Sequence, residues 1–478
     1  MYYLKKTDSL RNTCMKKYLI IVFLIVCFGN WAYSQNKRLF TVDEFIQLIK
    51  QYHPVAKQAN LQTQFADAEL LAAKGAFDPT IAIGADRKTF DGSNYYFHTN
   101  PELKIPTPIG IDVKTGIENN GGNNLANEIS SGKTSYAGVE VALVKGLLID
   151  QRRAALQQAK IFKNQSEQER LRILNDILFD AYTSYWQWAG AYQLYSIYNQ
   201  FLNISTDRLR LVKIAYQNGD RAWADSIEAF TQVQNFEILQ ADASIKLNAA
   251  VYNLSNYLWL KNDSAYLLPE QFLPDTIAFA INNFNPSLND LVAKAQNENP
   301  IISSYNFKLD ALEVERKLKF QSLLPVLNFK YNLLNKDYYV LKGFNAALLE
   351  NNYKWGIDFK LPLFIREGRG EYKKAKLKIT ETNLQLNAKR WEVENKIRSY
   401  FTEANLLQKQ LSIINSAYNN YNTLLKTEVL KFKNGESSLF VINSRENKLI
   451  ETLQKQIELR VKYFKAVYAV EWAAGLLR

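Results

Sequence analysis

The feature that most constrains this chain is a repeated punctuation. Thr41 opens an amphipathic run that ends at His53-Pro54, and Ser287 opens another that ends at Asn299-Pro300; each proline falls 13 residues after its cap. Twenty-five residues further on, each copy reaches a second proline, at Pro79 and Pro325, so the two stretches correspond at an offset of 246 residues. Downstream the offset changes. Arg153, Ala159-Lys160-Ile161, Asn218-Gly219 and Tyr252 match Arg369, Ala375-Lys376-Leu377, Asn434-Gly435 and Tyr468 at a constant 216. Helical sequences that resemble each other by chance do not keep proline, Asn-Gly and arginine spacings together. The chain therefore reads as two equal structural units, with a 30-residue insertion in the glycine-rich block of the first.

Between Pro108 and Pro269, and after Pro362, there is no proline. A 478-residue all-β chain needs turn residues every 8–12 positions, so these blocks are expected to be long helices. Within the second block Val393, Ile397, Tyr400, Ala404, Leu407, Leu411, Ile414, Tyr418, Tyr421 and Leu425 alternate steps of three and four, which is a heptad seam. Leu171, Leu174, Leu178, Ala181, Tyr185 and Trp188 continue the pattern in the first copy. From Ala159 to Gly219 a helix rising 1.5 Å per residue spans about 90 Å, longer than any core this chain can build. Asn218-Gly219-Asp220 and Asn434-Gly435-Glu436 supply the left-handed residue that ends a helix and an acidic start to the next. Each copy thus contains a coiled-coil hairpin with a defined tip. Trp186, Trp188 and the many tyrosines are expected to be core rather than a cofactor site.

Period-two patterning lies between the first helix and the hairpin of each copy. Leu327, Phe329, Tyr331 and Leu333 alternate with Asn328, Lys330 and Asn332; Trp355, Ile357, Phe359 and Leu361 alternate with Gly356, Asp358 and Lys360. The first copy has Ile81, Ile83 and Ala85 against Ala82, Gly84 and Asp86, and Val139, Val141 and Leu143 against Gly138, Glu140 and Ala142. One apolar and one polar face fit a membrane barrel or a soluble sandwich. Two strands per copy beside such helices leave no second sheet to cover the apolar face, which favours lipid. Four strands are too few to close a barrel, so the chain is expected to oligomerise. Ile109, Ile111 and Val113 alternate with Gly110, Asp112 and Lys114 inside the insertion, either extending a strand or forming a hairpin in a surface loop. Asn119 to Gly132 reads as an exposed loop.

At the N-terminus Met15-Lys16-Lys17, the apolar run Tyr18 to Phe28 and Ala32-Tyr33-Ser34 have the form of a secretory signal peptide, cleaved after Ser34. Met15 is then the expected start. Both cysteines, Cys14 and Cys27, fall in this leader, and Val26 is too large for a lipoprotein site at Cys27. The chain carries a net charge of +12, of which +8 remains past the leader. Its basic residues are dispersed and paired with acids, with no clustered patch of the kind that binds nucleic acid. The two histidines, His53 and His98, the latter in a predicted loop, form no metal-ligand spacing. No phosphate-binding or nucleophile motif is present, so no catalysis, cofactor or metal is expected.

These residues resemble the TolC family of outer-membrane efflux proteins from about Thr41 to Leu477. The resemblance rests on the paired Asn/His-Pro and Pro-strand signals, on Leu361-Pro362-Leu363-Phe364 as a strand-to-helix junction, on Arg153 and Arg369, and on the Asn-Gly tips. The first copy's junction, Leu143 to Leu147, lacks the proline, so it does not mark where that long helix starts. The implied fold is mainly α with a small β part: two repeats of helix, strand pair and long α-hairpin. These would form a trimeric 12-stranded outer-membrane β-barrel continued by a 12-helix periplasmic coiled-coil barrel. The boundaries would be a leader at 1–34, repeats at 35–260 and 287–478, and a connector at 261–286. The resemblance further implies a Gram-negative outer-membrane location, a homotrimer, contact with outer-membrane lipid, a periplasmic adaptor and, through it, an inner-membrane pump. Cargo would be small molecules or proteins. It assigns Asn218, Gly219, Asp220, Asn434, Gly435, Glu436 and Ser437 to adaptor docking and the aperture, and Asp86, Glu140, Lys330, Asp358 and Lys360 to the barrel lumen. The rival is a periplasmic adaptor, which has one hairpin where this chain has two.

Overall fold

A computed structural model describes residues 37–280, 284–337 and 351–478. The leader expected up to Ser34 lies outside the described residues. The first copy opens with β1 (Arg38–Phe40), α1 (Val42–Tyr52) and α2 (Pro54–Gly75). The second opens with α5 (Leu288–Glu298) and α6 (Pro300–Gln321). Each pair was expected as one helix, from Thr41 to Gly75 and from Ser287 to about Leu323, and each instead breaks before its proline. His53 and Asn299 adopt extended backbone at ψ 132° and 124°, because the proline ring disfavours helical geometry in the residue before it. Each then caps the following helix. His53 Nδ1 accepts from the Val55 N–H, and Asn299 Oδ1 accepts from the Ile301 N–H at 2.9 Å.

The long helices are α3 (Gln151–Gln217) and α7 (Arg366–Lys433), of 67 and 68 residues, each about 100 Å long. They return through α4 (Trp223–Ser255) and α8 (Leu439–Ala474). Asp150 fixes the start of α3 by accepting the Arg153 N–H at 2.8 Å, after Gly146 has turned the chain at φ 90°. The seam residues pack as their periodicity requires: Val393, Ile397, Ala404, Leu407 and Leu411 are buried, as are Leu178, Ala181, Tyr185 and Trp188.

Each long helix runs past two shorter ones. Alpha-3 packs on α2 and α6 near the sheet and on α4 and α8 toward the tips; α7 packs on α6 and α8. The layer therefore reads α2–α3–α6–α7 near the sheet and α4–α3–α8–α7 farther down. Between these levels lies the densest aromatic core, where Phe40, Phe45, Trp186 and Trp188 surround Tyr185 and Phe279 stacks on Trp186. The Tyr185 hydroxyl donates to the Phe40 carbonyl at 2.7 Å and accepts from the Asp275 N–H at 3.1 Å. The connector is part of this core: β6 (Phe272–Pro274) pairs in parallel with β1, and Leu268 and Phe279 are buried. Full burial of side chains this large contributes about 1.5–3 kcal/mol each.

One sheet contains β2 (Thr80–Phe90), β3 (Ser93–Pro106), β4 (Ile111–Gly121), β5 (Gly132–Ala142), β7 (Val326–Lys336) and β8 (Tyr353–Lys360), in that spatial order and antiparallel throughout. The expectation of two strands per copy is corrected to four and two. The alternation at 109–114 belongs to a hairpin that pairs along its length with β2 on one side and β5 on the other. His98, expected in a loop, lies in β3, and the loop expected from Asn119 begins only after Gly121. The β3–β4 pairing skips Asn100 and Pro101, since proline has no N–H to give to a ladder.

Candidate functional site

The strand registers sort the side chains onto two faces. Ile83, Pro101, Val113, Val139, Tyr331 and Trp355 fall on one; Glu102, Lys114, Glu140, Lys330, Asp358 and Lys360 fall on the other. Asp86, opposite His98, shares the polar face. All five residues expected to line a lumen thus stand on one side of one sheet. The apolar face is uncovered: Ile81, Ile83, Trp355, Ile357 and Phe359 are each more than half exposed. An exposed apolar surface of this continuity marks a site of protein or membrane contact.

Charge on the polar face is cancelled across the strands. Lys330 Nζ lies 2.6 Å from Asp358, Lys114 Nζ lies 2.6 Å from Glu140, and Asp112 takes Lys104 and Arg152, each at 3.0 Å. Tyr136, buried on β5, reaches over Gly116 of β4 and donates to Glu102 of β3 at 2.6 Å. A side chain at Gly116 would bring its Cβ within 2.7 Å of the Tyr136 ring. Sequence reading took Asp112 and Lys114 only as polar positions of an alternation and missed Glu102, Lys104 and Tyr136. The signal was the alternation of Glu102 and Lys104 with Leu103 and Ile105, which the flanking prolines obscure.

At the opposite end the two tips are built identically. The Asp220 N–H donates to the Ala215 carbonyl and the Gly219 N–H to Tyr216; the Glu436 N–H donates to Lys431 and the Gly435 N–H to Phe432. This is the Schellman closure of a helix, with Gly219 at φ 82° and Gly435 at φ 80° in the left-handed region. Asn218 and Asn434 cap the long helices. Asp220 and Glu436 were expected as acidic helix starts. They stand in the turns instead, because the return helices begin only at Trp223 and Leu439. Ser437 donates to Glu428, tying the second tip to its own long helix.

Within the chain the two tips are joined by groups that no local pattern marks. Arg208 of α3 makes a bidentate ion pair with Glu446 of α8 at 2.8 and 2.9 Å, and Glu446 is 1% exposed. Asn443 donates from the same helix to Glu228 of α4 at 3.2 Å, and Gln232 donates to Asn447 at 2.9 Å. The Arg221 guanidinium lies 4.3 Å from the centre of the Phe432 ring. Beside these contacts a cleft of about 540 Å³ opens between the hairpins, lined by Ile204, Arg208, Leu211, Arg221, Phe432 and Ile442.

Among the described residues no group of His, Cys, Asp and Glu is arranged to hold a metal ion. No described helix is long and apolar enough to cross a membrane.

No family model matches the sequence. A curated relative, the structural protein ORF147 of Trichoplusia ni ascovirus 2c, is 28% identical over 184 residues, which are 37% of this chain and 11% of that protein. The match thus spans about a tenth of that protein's length. Solved structures are similar over far more of the chain. The CmeC outer membrane channel of Campylobacter jejuni superposes with a TM-score of 0.63 at 13% identity, over 91% of this chain and 86% of that one. The outer membrane protein VceC of Vibrio cholerae gives 0.61 at 13% identity, over 91% and 96%. The open state of the MtrE outer membrane channel of Neisseria gonorrhoeae gives 0.64 at 12% identity, over 91% and 89%. The chain has the fold of these TolC-like channels, and at such identities the likeness establishes the fold.

Proposed function

We propose that this chain is one subunit of an outer-membrane channel that carries solute from a periplasmic adaptor and an inner-membrane pump to the outside. One observation carries the reading. A sheet with an uncovered apolar face and a charge-paired polar face continues directly into helices about 100 Å long, and among the described residues the outer edges of β2 and β8 have no strand partner. Lipid satisfies the apolar face, and pairing between copies satisfies the edges, which no spanning structure leaves open in a membrane. Three copies would then surround a common lumen lined by Asp86, Glu140, Lys330, Asp358 and Lys360. The helical layers would extend that lumen through the periplasm.

The channel works by geometry, with no bond made or broken. The tips, Asn218 to Asp220 and Asn434 to Ser437, together with the cleft between the hairpins, form the surface offered to an adaptor. Opening is a shift of one hairpin against the other, which has to break the Arg208–Glu446 pair. An adaptor reading accounts poorly for two hairpins sharing one sheet. The test is fractionation: the protein is expected in the outer membrane and as a trimer in mild detergent. Recovery as a soluble periplasmic monomer overturns the proposal.

A further inference from the structure

The barrel expected by resemblance takes four strands from each copy. The geometry points to six. We propose that the β3–β4 hairpin is part of the transmembrane wall, so that three copies close an eighteen-stranded barrel; this rests on the channel reading above.

Four observations carry it. First, the hairpin fills the insertion in the first copy: it spans residues 93–121, close to the 30-residue change in repeat offset, and lies between β2 and β5 with ladders to both. A surface loop or a plug folded into the lumen would leave β2 and β5 to pair with each other. Second, its two faces are in phase with the rest of the sheet. Leu103, Ile105 and Val113 align with Ile81 and Val139 on the apolar side, while Lys104 and Lys114 align with Thr80 and Gly138 on the polar side. A one-residue slip would reverse every one of these positions.

Third, the hairpin is fastened at the helix end of the sheet. Asp112 takes Arg152 at the start of α3, and the Arg153 guanidinium lies against Gly110 in the β3–β4 turn while donating to the Leu147 carbonyl at 3.0 Å. Fourth, the strands alternate in direction across the sheet, so the outer two, β2 and β8, run antiparallel to each other. Beta-8 of one copy can then pair with β2 of the next without a break in the pattern. The helical layer has two ends as well, with α2, which leads into β2, and α4 at one end and α7, which follows β8, at the other. Its outermost helices carry exposed apolar residues at seven-residue spacing: Ile238, Ile245 and Tyr252 on α4, and Leu377, Leu384 and Trp391 on α7. The two sides differ from each other, so the contact is head-to-tail, the kind that closes into a ring.

Girth supports the count. Strands about 4.8 Å apart and tilted by about 40° close at a radius of about 18 Å for eighteen strands and about 12 Å for twelve. Four helices per copy, spaced at 8–10 Å, close at about 15–19 Å for three copies. Six strands per copy therefore match the tunnel without a taper. The outlet would be a wide pore with paired charges, leaving the tips to limit what passes.

The experiment places single cysteines carrying spin labels in the full-length protein reconstituted in phospholipid vesicles. Labels at Leu103 and Val113 are expected to contact lipid, with high accessibility to oxygen; labels at Lys104 and Lys114 are expected to contact water, with high accessibility to a soluble nickel chelate. Water contact at all four positions overturns the proposal. Labels at Ile83 and Phe359 separate the two readings, since they face lipid whether a copy gives four strands or six. Water contact there overturns the channel reading as well. A single-particle reconstruction viewed along the barrel axis gives the count directly: six wall strands per copy are expected, and four refute it.

Discussion

Replacing Glu446 with alanine should loosen the contact between the two hairpins near their tips. The Glu446 carboxylate is almost fully buried, and its partner Arg208 has a side chain only 16% exposed. Removing one member of a buried, bidentate pair costs about 3–5 kcal/mol, because the other charge is left without a partner. Arg208 retains some access to water and the Asn443 side chain at 3.4 Å, so about 2–3 kcal/mol is the appropriate figure. The pair lies roughly 15 Å above the Asn218 turn along α3, between the two hairpins that the proposed opening separates. If separation is the opening step, the loss falls mainly on the closed state and shifts the closed-to-open ratio by about 30–150-fold. Single-channel recording of Glu446→Ala in planar bilayers should show open probability raised by that order. The charge-reversed double variant, Arg208→Glu with Glu446→Arg, should recover much of the closure. An alanine variant that assembles normally and opens no more often than the wild type refutes the assignment of this pair to gating. So does a double variant no better than the single.

Two further effects follow from the repeat. Gly219→Ala and Gly435→Ala place a side chain in left-handed backbone with open space around it, so each should cost about 1 kcal/mol by strain alone. Hydrogen exchange should then quicken at the tip turns and stay unchanged in the aromatic core. His53→Asn installs the residue found at the matching position, Asn299, and should keep the cap of α2 while removing a pH dependence. Burial lowers the His53 pKa below its ordinary 6.5, so below that pH the unfolded chain binds a proton that the folded chain resists. Stability is therefore complete above about 6.5 and declines as pH falls toward the folded-state value. Thermal unfolding between pH 5 and 8 should show a shallower acid-side decline in the variant; an unchanged profile refutes the role given to His53.

How much of this was legible in the sequence depends on how local each feature is. The heptad seams, the Asn-Gly tips and the alternation of Trp355 to Lys360 are set by near neighbours, and periodicity reveals them. The breaks at His53 and Asn299 were hidden because the amphipathic pattern continues through them; the proline that ends one helix is equally at home as the first residue of the next. The extent of the β3–β4 hairpin was obscured by Pro101, Pro106 and Pro108, which interrupt the alternation, although Pro101 sits inside a paired strand at the cost of one gap in the ladder. Arg208 and Glu446 lie 238 residues apart, and nothing beside either residue marks it as half of a pair. The same holds for Tyr136 and Glu102, which meet only because Gly116 leaves room between them.

The most direct test of the central claim is conductance. Purified protein reconstituted in a planar lipid bilayer, with no adaptor or pump present, should give discrete channel events, rare in the wild type and frequent once the tip contacts are broken by Glu446→Ala. A bilayer that stays silent with both forms, although each is inserted as a stable oligomer, would contradict the account of this chain as a channel subunit.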